Sequence, residues 1–330
     1  MKNPFVTNGY VSPEYFCDRE KETAKIVSLL TNENNIALIS PRRLGKTDLL
    51  RHCFGQPEIK EHYHTFIIDI YATSSVRDFV NVFGKAVLDE LRPKGKSVWG
   101  TFLNVLASLR SEITFDMNGQ PTWGIGLGAI TNPSATLDEI FSYLNNAGKP
   151  CLIAIDEFQQ ITKYADDPNI EAALRTHIQR CSNAHFVFSG SHRHLMGAMF
   201  TSPARPFYQS VTLINLPPIS VDKYAEFCLK HFERVSKHLD TLVVTELYER
   251  FNGITSYMQK VMNILFSMTG TGEICIPSMI DTAINDLLDF SADTYDALLY
   301  QMPEKQRIVF MAIAAEGKAK AISSGDFVRK

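Results

Sequence analysis

Asn35-Ile36-Ala37-Leu38-Ile39-Ser40-Pro41-Arg42-Arg43-Leu44-Gly45-Lys46-Thr47-Asp48-Leu49-Leu50 decides the fold. The apolar run Ile36 to Ile39 has strand character and stops at a short polar turn. Gly45-Lys46-Thr47 then opens a segment, Asp48 to Phe54, that reads as a helix. Strand, loop and helix in that order form the context a phosphate-binding loop requires. Backbone N–H groups of such a turn point inward at an anion, and the helix N-terminus adds the positive end of its dipole. Ser40, Pro41, Arg42, Arg43, Leu44, Gly45, Lys46, Thr47 and Asp48 are therefore the candidate phosphate-binding residues. Lys46 would reach the β- and γ-phosphates as a point charge, and the Thr47 hydroxyl would ligate Mg²⁺. The first position of G-x-x-x-x-G-K-[ST] is Ser40 rather than glycine. Serine is small enough for a close backbone approach but less free at positive φ. A Gly-Lys-Thr in an ordinary surface loop is the competing reading, and the flanking strand and helix disfavour it.

Outward from this loop, helices and strands alternate. An apolar-periodic helix within residues 14–30 ends at the polar Thr31–Asn35 turn. A second strand is expected over Thr65–Ile70, then a helix from about Ser75 to Leu91 capped by Ser74 or Ser75. A helix at about Ala135–Asn146 leads to the wholly apolar run Cys151-Leu152-Ile153-Ala154-Ile155, the signature of a strand buried on both faces. A helix over about Asn169–Cys181 and strands over His185–Ser189 and Val211–Leu216 complete the series. The alternation predicts an α/β domain over residues 1–218, a doubly wound parallel sheet of roughly five strands flanked by helices. Residues 92–133 depart from it and read as an insertion carrying a hairpin, Glu112–Met117 and Thr122–Leu127, around Asn118-Gly119. After Pro217-Pro218 the pattern is all-helical. Helices at about 221–236, 240–251, 255–268 and 278–289 make a second unit over residues 219–290. A third unit, 291–330, begins with a helix near Glu304–Ala315, with Ser323 or Ser324 starting another.

Composition narrows the class. Of 330 residues, 45% are hydrophobic and 21% charged, which suits a globular chain of two or three units. A net charge of −3 and a pI near 6.3 give no global electrostatic footprint for nucleic acid. The six cysteines are scattered, without C-x-x-C pairs, and read as small buried hydrophobes of a reducing compartment. No apolar run approaches membrane-spanning length and Met1–Tyr10 lacks an apolar h-region, so the expectation is a cytoplasmic protein with no membrane partner. His62/His64 and His192/His194 lack third ligands, so no metal beyond Mg²⁺ is expected.

Asp156-Glu157, at the end of the apolar strand, forms the second half of the candidate site. Two acidic residues capping a strand end are common, but here they follow five apolar residues in a chain that carries a P-loop upstream. In P-loop ATPases the strand bearing these carboxylates lies beside the P-loop strand, so both project at the phosphates. Asp156 would hold Mg²⁺ together with Thr47, and Glu157 would orient and deprotonate the attacking water.

The set Ser40–Thr47, Ile153–Phe158 and Phe186-Val187-Phe188-Ser189-Gly190-Ser191 resembles the AAA+/STAND class of P-loop NTPases. More narrowly it resembles the archaeal-type ATPase family found in archaea and many bacteria. That family's N-terminal aromatic–acid–Arg–Glu box corresponds to Phe16-Cys17-Asp18-Arg19-Glu20. Its paired P-loop arginines correspond to Arg42-Arg43, its Asp-Glu-Phe-Gln strand end to residues 156–159, and its Gly-Ser to Gly190-Ser191. The resemblance spans about residues 10–290. It implies that Tyr15, Phe16 and Arg19 lie near the adenine, although an ordinary helix start would use the same residues. It implies that Ser189 tips a strand between the P-loop and Asp156 strands as a γ-phosphate sensor, or is simply a buried, satisfied serine. Arg193 and Arg205 would sense phosphate or act as an arginine finger for a neighbouring subunit, or be solvated. Gly253-Ile254-Thr255-Ser256-Tyr257-Met258-Gln259 resembles the family's Gly-x-Pro lid motif with Thr255 in place of proline. The terminal unit from Met302 resembles the first helix of a winged-helix domain, too short here for a recognition helix and wing.

These features predict an ATP- or ADP-binding, Mg²⁺-dependent ATPase, slow in turnover, acting as a switch on a protein partner or through self-assembly. The alternatives are a STAND-type switch with negligible turnover, or an ATP-controlled DNA-binding regulator, which the net charge disfavours. A small-molecule kinase fits least.

Overall fold

The computed structural model describes residues 3–91, 111–115, 121–127, 132–317, 322, 324 and 325, with backbone alone for 111–115 and 121–127. Its strands are β1 (Ile36–Ile39), β2 (His64–Asp69), β3 (Ser111–Phe115), β4 (Pro121–Leu127), β5 (Cys151–Asp156), β6 (Ala184–Gly190) and β7 (Thr212–Asn215), followed by the two-residue β8 (His238–Leu239) and β9 (Ile274–Cys275). Every residue of β1, β5 and β6 is buried, as strands covered on both faces require. With β2 and β7 they form one parallel sheet in the order β2-β5-β6-β1-β7. β6 thus separates β5 from β1, and the strand bearing Asp156 is not the direct neighbour of the P-loop strand.

Alternation along the strands sorts their side chains to two cores. Ala37, Ile39, Ile153, Ile155, Phe186 and Phe188 join one apolar cluster, while Ile36, Leu38, Leu152, Ala154 and Val187 join another. Helices α1 (Glu20–Thr31), α2 (Lys46–Phe54) and α3 (Pro57–His62) cover the second face. Helices α4 (Val76–Glu90), α5 (Pro133–Asn145), α6 (Ile170–Arg180) and α7 (Arg193–Thr201) cover the first. Ser75 caps α4 by accepting from the Asp78 N–H. The short α3, with Pro57 in its first turn, and α7 were not expected from the sequence. β3 and β4 pair antiparallel as the expected hairpin, whose Asn118-Gly119 turn lies outside the described residues.

The second unit comprises α8 (Val221–Glu233), α9 (Thr241–Arg250), α10 (Thr255–Met268) and α11 (Ile280–Asp289) around its own apolar core. Ser220 and Asp240 cap α8 and α9 through their side chains. Two further helices, α12 (Ala292–Gln301) and α13 (Glu304–Ala315), follow; α12 was not foreseen, and neither has a buried residue. Ser323 lies outside the described residues.

One long-range feature escaped sequence reading. Phe5 is fully buried in the core of the second unit, its ring 5.6–6.0 Å from those of Phe227, Phe232 and Phe266. The Asn3 side chain donates to the Asn263 carbonyl (2.8 Å), and the Asn263 side chain donates back to the Phe5 carbonyl (2.7 Å). The chain's first residues therefore strap the helical unit before running back to the sheet domain. Phe5→Ala is expected to destabilise the helical unit by about 3 kcal/mol, the usual cost of emptying an aromatic core site. Urea unfolding followed by a probe in α10 measures it, and a loss below about 1 kcal/mol would show that the strap is dispensable.

Candidate nucleotide-binding site

β1 ends at Ser40, whose N–H donates to the Gly190 carbonyl (3.4 Å) and so extends the ladder one residue past the strand. The loop then turns through Arg43 (φ 69°) and Gly45 (φ 83°), two left-handed residues that swing the chain into α2. Only glycine takes such a φ without strain. Gly45 serves as N-cap without any side-chain acceptor, so N–H groups of the first turn of α2 remain available to an anion. The Lys46 side chain lies along the loop, its Nζ 3.3 Å from the Ser40 carbonyl and 3.5 Å from that of Pro41. Burial pulls its ammonium below the ordinary lysine value. Asp156 and Glu157 oppose that shift, and Arg42 adds to it.

The carboxylate of Asp156, 6% exposed, collects three donors: Thr47 Oγ1 at 2.5 Å, Ser189 Oγ at 2.8 Å and the Glu157 N–H at 3.0 Å. Glu157 follows in the left-handed region (φ 56°), which turns the chain into a 3₁₀ segment, Phe158–Lys163. Phe158 anchors that turn, its ring 4.4 Å from Phe188 and 5.5 Å from Phe207. The Glu157 carboxylate accepts from the Gln159 amide and from Ser191 Oγ.

Lys46, Thr47, Asp156 and Glu157 border one cavity of about 360 Å³. One side is Arg42 to Asp48 with Asp156 and Glu157; the other is Val6 to Val11, Tyr15, Phe16, Cys17 and Arg19; Ile219, Thr255, Ser256 and Gln259 close it. Arg19 lines the cavity but its guanidinium is committed to Glu22 (2.8 Å) and the Pro217 carbonyl (2.7 Å). Tyr15 stacks on His231, and Phe16 stacks on His52 with ring centres 4.5 Å apart. Asp48 borders the cavity too, its carboxyl raised by burial against the opposing pull of Arg51. The helical unit touches the loop directly: the Ser256 N–H donates to the Arg43 carbonyl (3.2 Å), and the Arg43 guanidinium sits over the Tyr257 ring. Ser40, Pro41 and Ser189 stand behind the lining, bonded to Lys46 or Asp156.

Arg193 and Arg205 are not among the lining residues. Arg193 is exposed at the start of α7. The Arg205 guanidinium pairs instead with Glu171, a buried carboxylate on α6. Residues that sequence reading missed are Val6, Thr7, Gly9, Tyr10, Val11 and Ile219; Gln159 and Ser191 were quoted as motif residues but given no role.

With this geometry in place, the comparisons with known proteins are informative. Residues 16–261 match the family model described as an ATPase domain predominantly from Archaea. The chain belongs to that ATPase family. Residues 293–330 match the model described as "Probable winged helix domain". No curated protein sequence matches the chain. Among solved structures it is similar to the Walker-type ATPase of Pyrococcus abyssi, with a TM-score of 0.62 at 18% identity over 94% of this chain and 81% of that one. It is also similar to the ORC1 protein of Aeropyrum pernix in complex with DNA (TM-score 0.56, 13% identity, 92% and 73%) and to the ORC2 protein of Aeropyrum pernix in its ADP form (0.55, 14%, 86% and 71%). These likenesses establish the P-loop NTPase fold that the sequence suggested. Among the described residues no helix is long and apolar enough to cross a membrane.

Cys17 lines the cavity, and burial pushes its thiol up to about 12. Burial raises the other five thiols as well, and all six are buried and unpaired. Since the thiolate is the reactive form, the native protein is expected to show no fast thiol towards Ellman's reagent at pH 8 and all six after denaturation. A fast native thiol that ADP protects would show that Cys17 is ionised.

Proposed function

We propose that this chain binds ATP and ADP with Mg²⁺ and hydrolyses ATP slowly, as a switch read by a macromolecular partner. The observation that carries the reading is the convergence of Lys46, Thr47, Asp156 and Glu157 on one cavity that the N-terminal segment walls and the helical unit closes. Lys46 and the α2 N-terminus would take the phosphates, with Ser40 to Leu44 shaping the turn. Tyr15, Phe16 and Arg19 would border the base.

The donor set at Thr47 and Asp156, a hydroxyl and a carboxylate oxygen in direct contact, suits a hard, oxygen-seeking cation. No group of three or more His, Cys, Asp or Glu among the described residues could hold a metal alone. Mg²⁺ is commonly held by one or two carboxylates or hydroxyls together with substrate phosphates, the arrangement Thr47 and Asp156 would offer. When bound, the ion would neutralise charge on the phosphates. Glu157 would take the proton of the attacking water, and Ser189, sharing Asp156, would hold the metal-side carboxylate in place.

A second reading, a STAND-type switch that holds nucleotide with negligible turnover, is favoured by Ser40 at the first motif position and by Thr255 at the lid's usual proline. In either case the Arg43 contacts with Ser256 and Tyr257 would pass the state of the loop to the helical unit. Arg193, exposed on α7, is the better placed of the two arginines to reach a neighbouring subunit's nucleotide; Arg205 would first have to leave Glu171. One similar structure holds DNA, but the acidic net charge of this chain supports a protein partner or self-assembly more than nucleic acid.

Lys46→Ala is expected to abolish ADP and ATP binding by calorimetry. Glu157→Gln is expected to keep nucleotide bound while lowering Mg²⁺-dependent phosphate release by at least about 100-fold, as loss of a general base does. Tight binding without release in the unmodified chain would select the switch reading, and intact binding in Lys46→Ala would overturn both.

A further inference from the structure

Glu157 is held in an asymmetric way that its neighbours in sequence do not explain. Its Oε2 accepts two hydrogen bonds, from the Gln159 amide and from Ser191 Oγ (2.8 Å), while Oε1 takes none among the described residues. Oε1 is not buried, and Glu157 lines the cavity. Both donors are neutral and so fix the carboxylate without forming an ion pair.

The donors come from different elements. Gln159, only 3% exposed, is the second residue of the 3₁₀ turn, anchored by Phe158 packed on Phe188. It reaches Glu157 by passing over the end of β6 at Gly190. A Cβ there would overlap Gln159 Oε1 and come within 2.6 Å of Met196, so glycine keeps the passage open. Ser191 follows immediately, and its hydroxyl also accepts from Arg42 Nε at 3.4 Å. Arg42 in turn lies over the Tyr71 ring. The end of β6 and the turn after β5 thus meet at one oxygen of the proposed base, and the P-loop joins them through Ser191.

We infer that Gln159 and Ser191 are the positioning residues of Glu157: together they clamp Oε2 and leave Oε1 aimed into the cavity to accept a proton from water. Ser191 also links that clamp to the P-loop through Arg42, so the orientation of the base depends on the loop that would hold phosphate. The inference rests on the hydrolytic reading above. It adds the two residues, outside the P-loop and the acidic pair, on which turnover but not nucleotide affinity depends.

The test measures kcat and KM for Mg²⁺-dependent phosphate release, with ADP affinity by calorimetry, for Gln159→Leu, Ser191→Ala and Ser191→Thr. Each of the first two is expected to lower kcat about tenfold or more, as a base displaced by a fraction of an ångström does, with KM and ADP affinity unchanged. Ser191→Thr keeps the hydroxyl and should restore most of the turnover. In a Glu157→Ala background, Gln159→Leu should cause no further loss. Unchanged or increased kcat in both Gln159→Leu and Ser191→Ala, with the unmodified chain active, overturns the inference and leaves the ATPase reading standing. An unmodified chain that binds ADP but releases no phosphate overturns the hydrolytic reading and this role with it. Should Gln159→Leu fail to fold, the half-exposed Ser191 pair decides.

Discussion

A carboxylate withdrawn from water must be given hydrogen-bond donors, and at Asp156 that requirement organises the sheet edge. Its donors come from the first turn of α2, the tip of β6 and the backbone of the next residue. Thr47 can reach Asp156 across β6 only if the three strand ends are level. The register places Ile39 beside Gly190 and Ile155 beside Phe188, which sets Ser189 in the gap. Lys46, one residue before Thr47, then lies next to two acids without a direct ion pair to either. Among the described residues its hydrogen bonds go to the loop carbonyls of Ser40 and Pro41. Its charge is offset by nearby acids without an ion pair, as the proposed phosphate contact would require.

The helical unit reaches that edge through the loop. Pro218 and Tyr248 crowd Gly253, whose positive φ (67°) starts the turn into α10. The N-cap Ile254 offers no side-chain acceptor, and the first turn instead gives the Ser256 N–H to the Arg43 carbonyl. A helix start capped by another unit's backbone responds when that backbone moves. Tyr257 under the Arg43 guanidinium adds a second contact at the same place. The P-loop is thereby part of the lid's own capping arrangement.

What was legible from sequence was local. Ile36–Ile39 and Cys151–Ile155 announce strands covered on both faces because burial on two sides leaves no room for polar alternation. The P-loop and Asp156-Glu157 were legible because their chemistry is written in adjacent residues. The order of strands was legible only through the resemblance, which set the Ser189 strand between the P-loop and Asp156 strands where β6 lies; pairing itself is contained in no window of residues. Two missed helices did leave signals. Pro57 is a helix-start residue, and Met196, Met199 and Phe200 have the spacing of one buried helix face. The capture of Arg205 by Glu171 left none, and the motifs that hold Gln159 and Ser191 gave no sign that both side chains meet at Glu157.

The strap has a further consequence, for the order in which the molecule can be assembled. Phe5 is completed only by Phe227, Phe232 and Phe266, more than 200 residues later in the chain. During synthesis the sheet domain can close while its leading segment has nowhere to dock, because its partners are not yet made. Closing so long a loop is entropically costly and slow relative to local contacts. Since Val6 to Val11 also wall the cavity, that wall is finished only when the last helices of the lid have packed. A nascent chain can thus form its phosphate loop early, yet it completes a closed nucleotide site only at the end of folding.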